Sequence, residues 1–169
     1  RGRGAEGEFA PMPTRKPVQD GQVAFHACYA PLSAPVSFVS PTVVCCAVGD
    51  SICLWNIVDN TREYLYTSAY SVSKVTANPA KGLVAFCEGG TSPQVFVYQA
   101  RPARLLFALG DVTELELADL AFSRCGSRLY ALSRATSRRL HVFSAETGQR
   151  LKGCRLDLPL RFDKISVYP

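Results

Sequence analysis

Residues 49–60 read GDSICLWNIVDN: a Gly-Asp pair, an alternating apolar run that closes on Trp55, the only Trp in the chain, and a polar end. Gly-Asp is a tight-turn dipeptide, and alternation at period two suits a strand. The stretch is one strand held between two turns. The fold depends on whether it recurs.

It does recur. ICLWNI (52–57), QVFVYQ (94–99) and RLHVFS (139–144) each end in an aromatic followed by a polar residue, and Trp55, Tyr98 and Phe143 are spaced by 43 and 45 residues. A second series, Val75, Leu120 and Ile165, is spaced by 45 and opens the strands VTANP, LAFSR and ISVYP. TVVCCAV, GLVAFCE and RLYALSR precede the aromatic strands, separated from them by turns at Gly49-Asp50, Gly89 to Pro93 and Ala135 to Arg138. EYLYTS, RLLFAL and RLKGCRL follow as the last strand of each unit. Only TELELADLAF hints, weakly, at a helical period.

Four short strands in a unit of 43 to 45 residues match a propeller blade, whose period is about 40–45 residues. Over residues 36–169 the chain resembles the WD-repeat family: LHVFSAETGQRL is similar to its third strand, Thr-Gly turn and fourth strand, and GDSICLWN to its Asp turn and terminal Trp. The match is incomplete. No Gly-His dipeptide is present, Asn56, Gln99 and Ser144 stand where the family has Asp after the aromatic, and Asp50 has no counterpart before the other two aromatic strands. What the resemblance implies is an all-β, WD-repeat-like propeller in which Asp50, Trp55, Tyr98 and Phe143 are structural, the aromatics carrying stability that the family's hydrogen-bond network supplies elsewhere.

The expected organisation is an arm over residues 1–22, rich in Gly, Pro and charge, followed by a partial propeller over 23–169. Blade one spans about 36–68, blade two 72–110, blade three 115–157, and DKISVYP begins a fourth at about 161–169. Three blades cannot close a ring of four to eight, so the pattern is expected to continue outside this chain.

Composition narrows the function classes. No apolar run approaches the roughly 18–20 residues of a membrane-spanning helix, and no secretory pattern opens the sequence, so a cytoplasmic protein with no membrane partner is expected. Seven cysteines with no C-x-x-C spacing suggest neither zinc nor a disulfide framework, and most lie in apolar strands as small hydrophobes of a reducing compartment. Cys45 and Cys46 point to opposite strand faces. The net charge of +5 is uneven: residues 121–169 hold ten Lys and Arg against three acids, and the remainder is net −2. Such a field keeps a protein soluble and can attract an acidic partner.

Catalytic chemistry is sparse. His26 and His141 are far apart, and His141, among apolar neighbours on a third strand, is expected to be a hydrogen-bonded, partly buried imidazole. Asp111, Glu114, Glu116 and Asp119 read as a solvated connection between blades rather than two carboxyls facing each other across a substrate. EGGTSPQ (88–94) lacks the Lys-Ser/Thr of a phosphate loop and reads as a turn. Ser51, Ser133 and Ser144 lack a nucleophile-elbow context. No cofactor, metal or small-molecule substrate is expected, and nucleic-acid binding is disfavoured. Arg128, Arg134, Arg138 and Arg139, around one hairpin with Tyr130 and Phe143 nearby, form the candidate partner-binding basic surface.

A narrower resemblance completes the reading. LLFALGDVTELELADLAFSRCGSRLYALS and VTANPAKGLVAFCEGGTSPQVFVYQ look like the early blades of large cilia- and flagella-associated WD-repeat proteins, which tether dynein arms. It implies a non-catalytic scaffold of the ciliary or flagellar axoneme, with dynein, tubulin or other WD-repeat subunits as partners in a large assembly. The alternative is an adaptor propeller of a ubiquitin-ligase or trafficking complex, which predicts a recognition pocket on one face.

Overall fold

The computed structural model describes residues 36–66, 71–110, 112–113, 116–134, 138–156 and 164–167. The expected arm, His26, Cys28, Asp111, Glu114, the turn residues 135–137 and most of the expected fourth unit lie outside them. Among the described residues there are twelve strands and no helix.

The first sheet runs β1 (Val36–Ser40), β2 (Val43–Val48), β3 (Ser51–Asn56) and β4 (Arg62–Tyr66). The second comprises β5 (Val72–Asn78), β6 (Leu83–Glu88), β7 (Val95–Gln99) and β8 (Arg104–Leu109). The third comprises β9 (Leu117–Phe122), β10 (Arg128–Ser133), β11 (Arg139–Ser144) and β12 (Arg150–Arg155). All three are antiparallel meanders in chain order, and none closes into a barrel. β1 and β2 pack against β5, and β5 and β6 against β9, so first strands lie inward and fourth strands outward. The sheets are stacked as consecutive blades of an incomplete propeller.

β5 and β9 begin three residues earlier than the Val75 and Leu120 series suggests, and the weakly helical TELELADLAF contributes β9. Leu117 and Leu120 are drawn into the core as an extended chain, which overrides the faint helical period. Ile165, the third member of that series, has no strand pairing among the described residues; its N–H donates to the Asp119 carboxylate at 2.7 Å, beside β9.

Alternation along β6 and β7 explains their unbroken apolar runs. Val84, Phe86, Phe96 and Tyr98 face the first sheet, meeting Val43, Cys45, Ile52 and Leu54. Leu83, Ala85, Cys87, Val95 and Val97 face the third, meeting Leu117, Leu129, Ala131 and Phe143. A sheet covered on both sides has no polar face to present, so LVAFC and VFVY lose the polar half of the strand pattern. Phe86, fully buried, stacks on Phe96 and Tyr98 with centroids 5.4 and 5.6 Å away.

Candidate functional site

The structural residues come first, because they hold the surfaces in place. Trp55, Tyr98 and Phe143 occupy one register position, opposite Val44, Val84 and Leu129 respectively. Tyr98 and Phe143 are buried against the preceding sheet, whereas Trp55, on the face of the first sheet turned away from the second, is 36% exposed. Its indole N–H donates to the Asn60 side-chain oxygen at 3.0 Å, and the Arg62 guanidinium lies 5.1 Å above its ring. Asp50 sits in the two-residue loop closed by Val48 and Ser51 and accepts the Ser51 hydroxyl at 2.8 Å.

The seam between the second and third sheets is polar at one end. Asn78, buried at the end of β5, donates to the Ser123 carbonyl at 3.1 Å and accepts from Lys81 N–H at 3.0 Å. Gly126 has φ +68°, and a Cβ there would lie 2.8 Å from the Asn78 side-chain oxygen, so glycine serves both the left-handed turn and the close approach. Lys81 reaches the Glu146 carboxylate at 2.6 Å across the same seam and holds its pKa below the usual range.

His141 departs from expectation. Its side chain is buried rather than partly buried, and among the described residues Nδ1 has no hydrogen-bond partner. It lies opposite Ala131 and Gly153, on the same face as Phe143, whose ring is 6.3 Å away. Burial first, then the nearby Arg150 and Arg139 charges, lowers its pKa. The alternating pattern assigned the right face but carried no sign that polar partners would be missing there.

The other residues weighed for chemistry are absorbed by structure. Ser133 Oγ donates to the Arg139 carbonyl and accepts from its N–H, and Ser144 Oγ accepts from the Glu146 and Thr147 amides. Glu116 pairs with Arg134 at 2.9 Å. EGGTSPQ is the β6–β7 connection, closed by Glu88 N–H to the Gln94 carbonyl. Among the described residues no group of His, Cys, Asp and Glu is arranged to hold a metal. No described helix is long and apolar enough to cross a membrane.

The four candidate arginines do not form one patch. Arg128 opens β10, while Arg134, Arg138 and Arg139 lie around the β10–β11 hairpin at the far end of that strand. Six strand residues span about 17–20 Å, so Arg128 is remote from the other three. Arg134 is engaged with Glu116. The register adds Arg155, directly opposite Arg139, and every residue of β12, including Arg150 and Lys152, is exposed. The basic cluster at the hairpin end is therefore Arg138, Arg139 and Arg155, and the exposed outer strand continues it through Lys152 to Arg150 at the Arg128 end of the sheet. The fourth-strand assignment of RLKGCRL contained that signal, since an outer strand rich in basic residues is a protected edge.

A cleft of about 490 Å³ lies between the first two sheets, where Asn56, Asp59, Thr61 and Glu63 of the β3–β4 region face Arg101 and Pro102 of the β7–β8 turn. Its chemistry is mixed, two carboxylates opposite one guanidinium. Compared with known proteins, the chain matches no family model and no curated sequence significantly.

Proposed function

We propose that this chain belongs to a non-catalytic, WD-repeat-like scaffold propeller that mediates protein–protein assembly, in the axoneme of cilia or flagella, where it tethers dynein or regulates motility. The observation that carries the reading is the exposed basic outer edge of the third sheet. The exposed outer strand of the third sheet carries Arg150, Lys152 and Arg155, and Arg138 and Arg139 lie at the hairpin beside its Arg155 end. Tubulin tails and acidic dynein surfaces have the required charge.

Co-sedimentation of the chain with microtubules or salt-extracted axonemes tests this. Binding should weaken steeply between low and high salt and should be lost in Arg138→Glu/Arg139→Glu. Undiminished binding of the double variant rejects the proposal. The cleft lined by Asp59, Glu63 and Arg101 supports the second reading, an adaptor of a ubiquitin-ligase or trafficking complex, because it offers a recessed, charge-patterned place for a peptide.

A further inference from the structure

We propose that Cys46 and Cys53 form a reversible, peroxide-sensitive dithiol pair on the face of the first sheet turned away from the second. The register carries it. Cys46 on β2 and Cys53 on β3 are direct cross-strand partners, and both are free thiols. The Gly49-Asp50 loop closes on Val48 and Ser51, so counting back in twos makes Cys46 and Cys53 a hydrogen-bonded backbone pair. Such pairs place their α-carbons about 5.5 Å apart. Disulfides span about 4.4–6.8 Å between α-carbons, so the bridge can form without moving either strand out of the sheet.

The two thiols are also unequal, as nucleophile and resolving group must be. Cys53 S–H donates to the Cys46 sulfur and, with smaller opposition from burial, lowers the Cys46 pKa to about 7, while that bond and burial raise the Cys53 pKa. Cys46 is partly exposed and Cys53 is buried behind it. By contrast Cys45, one residue away, points into the core between the sheets, where burial pushes its pKa to about 12. Adjacent cysteines thus take opposite roles because alternate strand residues face opposite ways.

The chemistry balances with hydrogen peroxide as oxidant. The Cys46 thiolate attacks one peroxide oxygen, the O–O bond breaks, and hydroxide leaves with the electron pair and takes up a proton as water. Cys46 becomes a sulfenic acid. The Cys53 sulfur then attacks the Cys46 sulfur, forming S–S and breaking S–O; the departing hydroxide combines with the Cys53 proton as a second water. Two thiols are oxidised by two electrons and one peroxide is reduced. A backbone-paired site holds β-carbons farther apart than a relaxed disulfide prefers, so the bridge is strained and readily reduced by thiols.

The chain carries its own reporter, because Trp55 is two residues from Cys53 on the same strand face and is its only Trp. The experiment uses the chain with Cys28→Ser, Cys125→Ser and Cys154→Ser, which removes the two exposed competing thiols among the described residues and the one cysteine outside them. After peroxide, peptide mass spectrometry should find a Cys46–Cys53 cross-link lighter by two hydrogens, with a fall in Trp55 emission that dithiothreitol reverses. With Cys53→Ser added, Cys46 should be trapped by dimedone as the sulfenic acid; with Cys46→Ser, Cys53 should remain a free thiol. The cross-link in the parent chain decides the matter even if a serine variant fails to fold. Free Cys46 and Cys53 at a peroxide dose that fully oxidises Cys125 of the unsubstituted chain would overturn the proposal, as would Cys53 oxidation in Cys46→Ser.

Discussion

Replacing Gly126 by Ala tests whether the second and third sheets are joined through one buried asparagine. Asn78 contributes two hydrogen bonds, to the Ser123 carbonyl and from Lys81 N–H. The Ser123 carbonyl also accepts from Gly126 N–H at 2.9 Å, so it is not orphaned when Asn78 is removed. At about 1 kcal/mol per net hydrogen bond, Asn78→Ala should cost about 2–3 kcal/mol. Gly126→Ala has two costs: a left-handed φ of +68°, worth about 1–2 kcal/mol for a residue with a Cβ, and expulsion of the Asn78 side chain, which forfeits about the same two hydrogen bonds. In an Asn78→Ala background only the first cost remains. The two substitutions should therefore be sub-additive by about 2 kcal/mol, against the roughly 0.3–0.5 kcal/mol scatter of independent sites. Urea unfolding of the four chains of the cycle, with the denaturant slope held constant, gives the coupling. Additivity within that scatter would mean that Gly126 and Asn78 are not in contact, and the seam as described would be wrong.

A second glycine test compares Gly148→Ala with Gly49→Ala. Both have positive φ, but a Cβ at 148 would lie 2.9 Å from the Phe107 ring, whereas at 49 it would meet nothing within 4 Å. Gly148→Ala should be the more destabilising by about 1–3 kcal/mol in the same unfolding assay. Among the register-equivalent aromatics, Phe143→Ala should cost about 3–5 kcal/mol, and Trp55→Ala less, because Trp55 lies outside the packing between sheets. For His141, the folded-state pKa is depressed, so the unfolded chain binds the proton more tightly. Stability should be undiminished above the unfolded pKa of about 6.5 and fall as pH drops through it toward the folded value. A melting-temperature series should show this slope shrink in His141→Phe; an unchanged slope would show that the imidazole is not its source.

The repeat was legible because it is local and periodic. Strand identity and the shared register of Trp55, Tyr98 and Phe143 follow from alternation and from aromatic and apolar positions recurring every 43–45 residues, with turn residues between them. The exposed β12 and the opposed Cys46 and Cys53 were nearly legible, since a fourth strand is an outer strand and a two-residue loop sets the pairing that follows it. The spread of the four candidate arginines was not legible, because nearness in sequence around a hairpin places Arg128 and Arg134 at opposite ends of one strand.

What the amino-acid sequence alone determined, then, is the unit: four strands, their order and which residues share a face. Only the tertiary structure decided what covers each face. Tyr98 and Phe143 are buried and Trp55 is exposed at the same register position; Asn78 finds Ser123 across a seam 45 residues away, and His141 finds no partner for Nδ1 among the described residues. The physical reason is that strand pattern and turn chemistry act between neighbours in the chain, while burial and polar satisfaction act between sheets brought together from distant segments, which no single unit's sequence encodes.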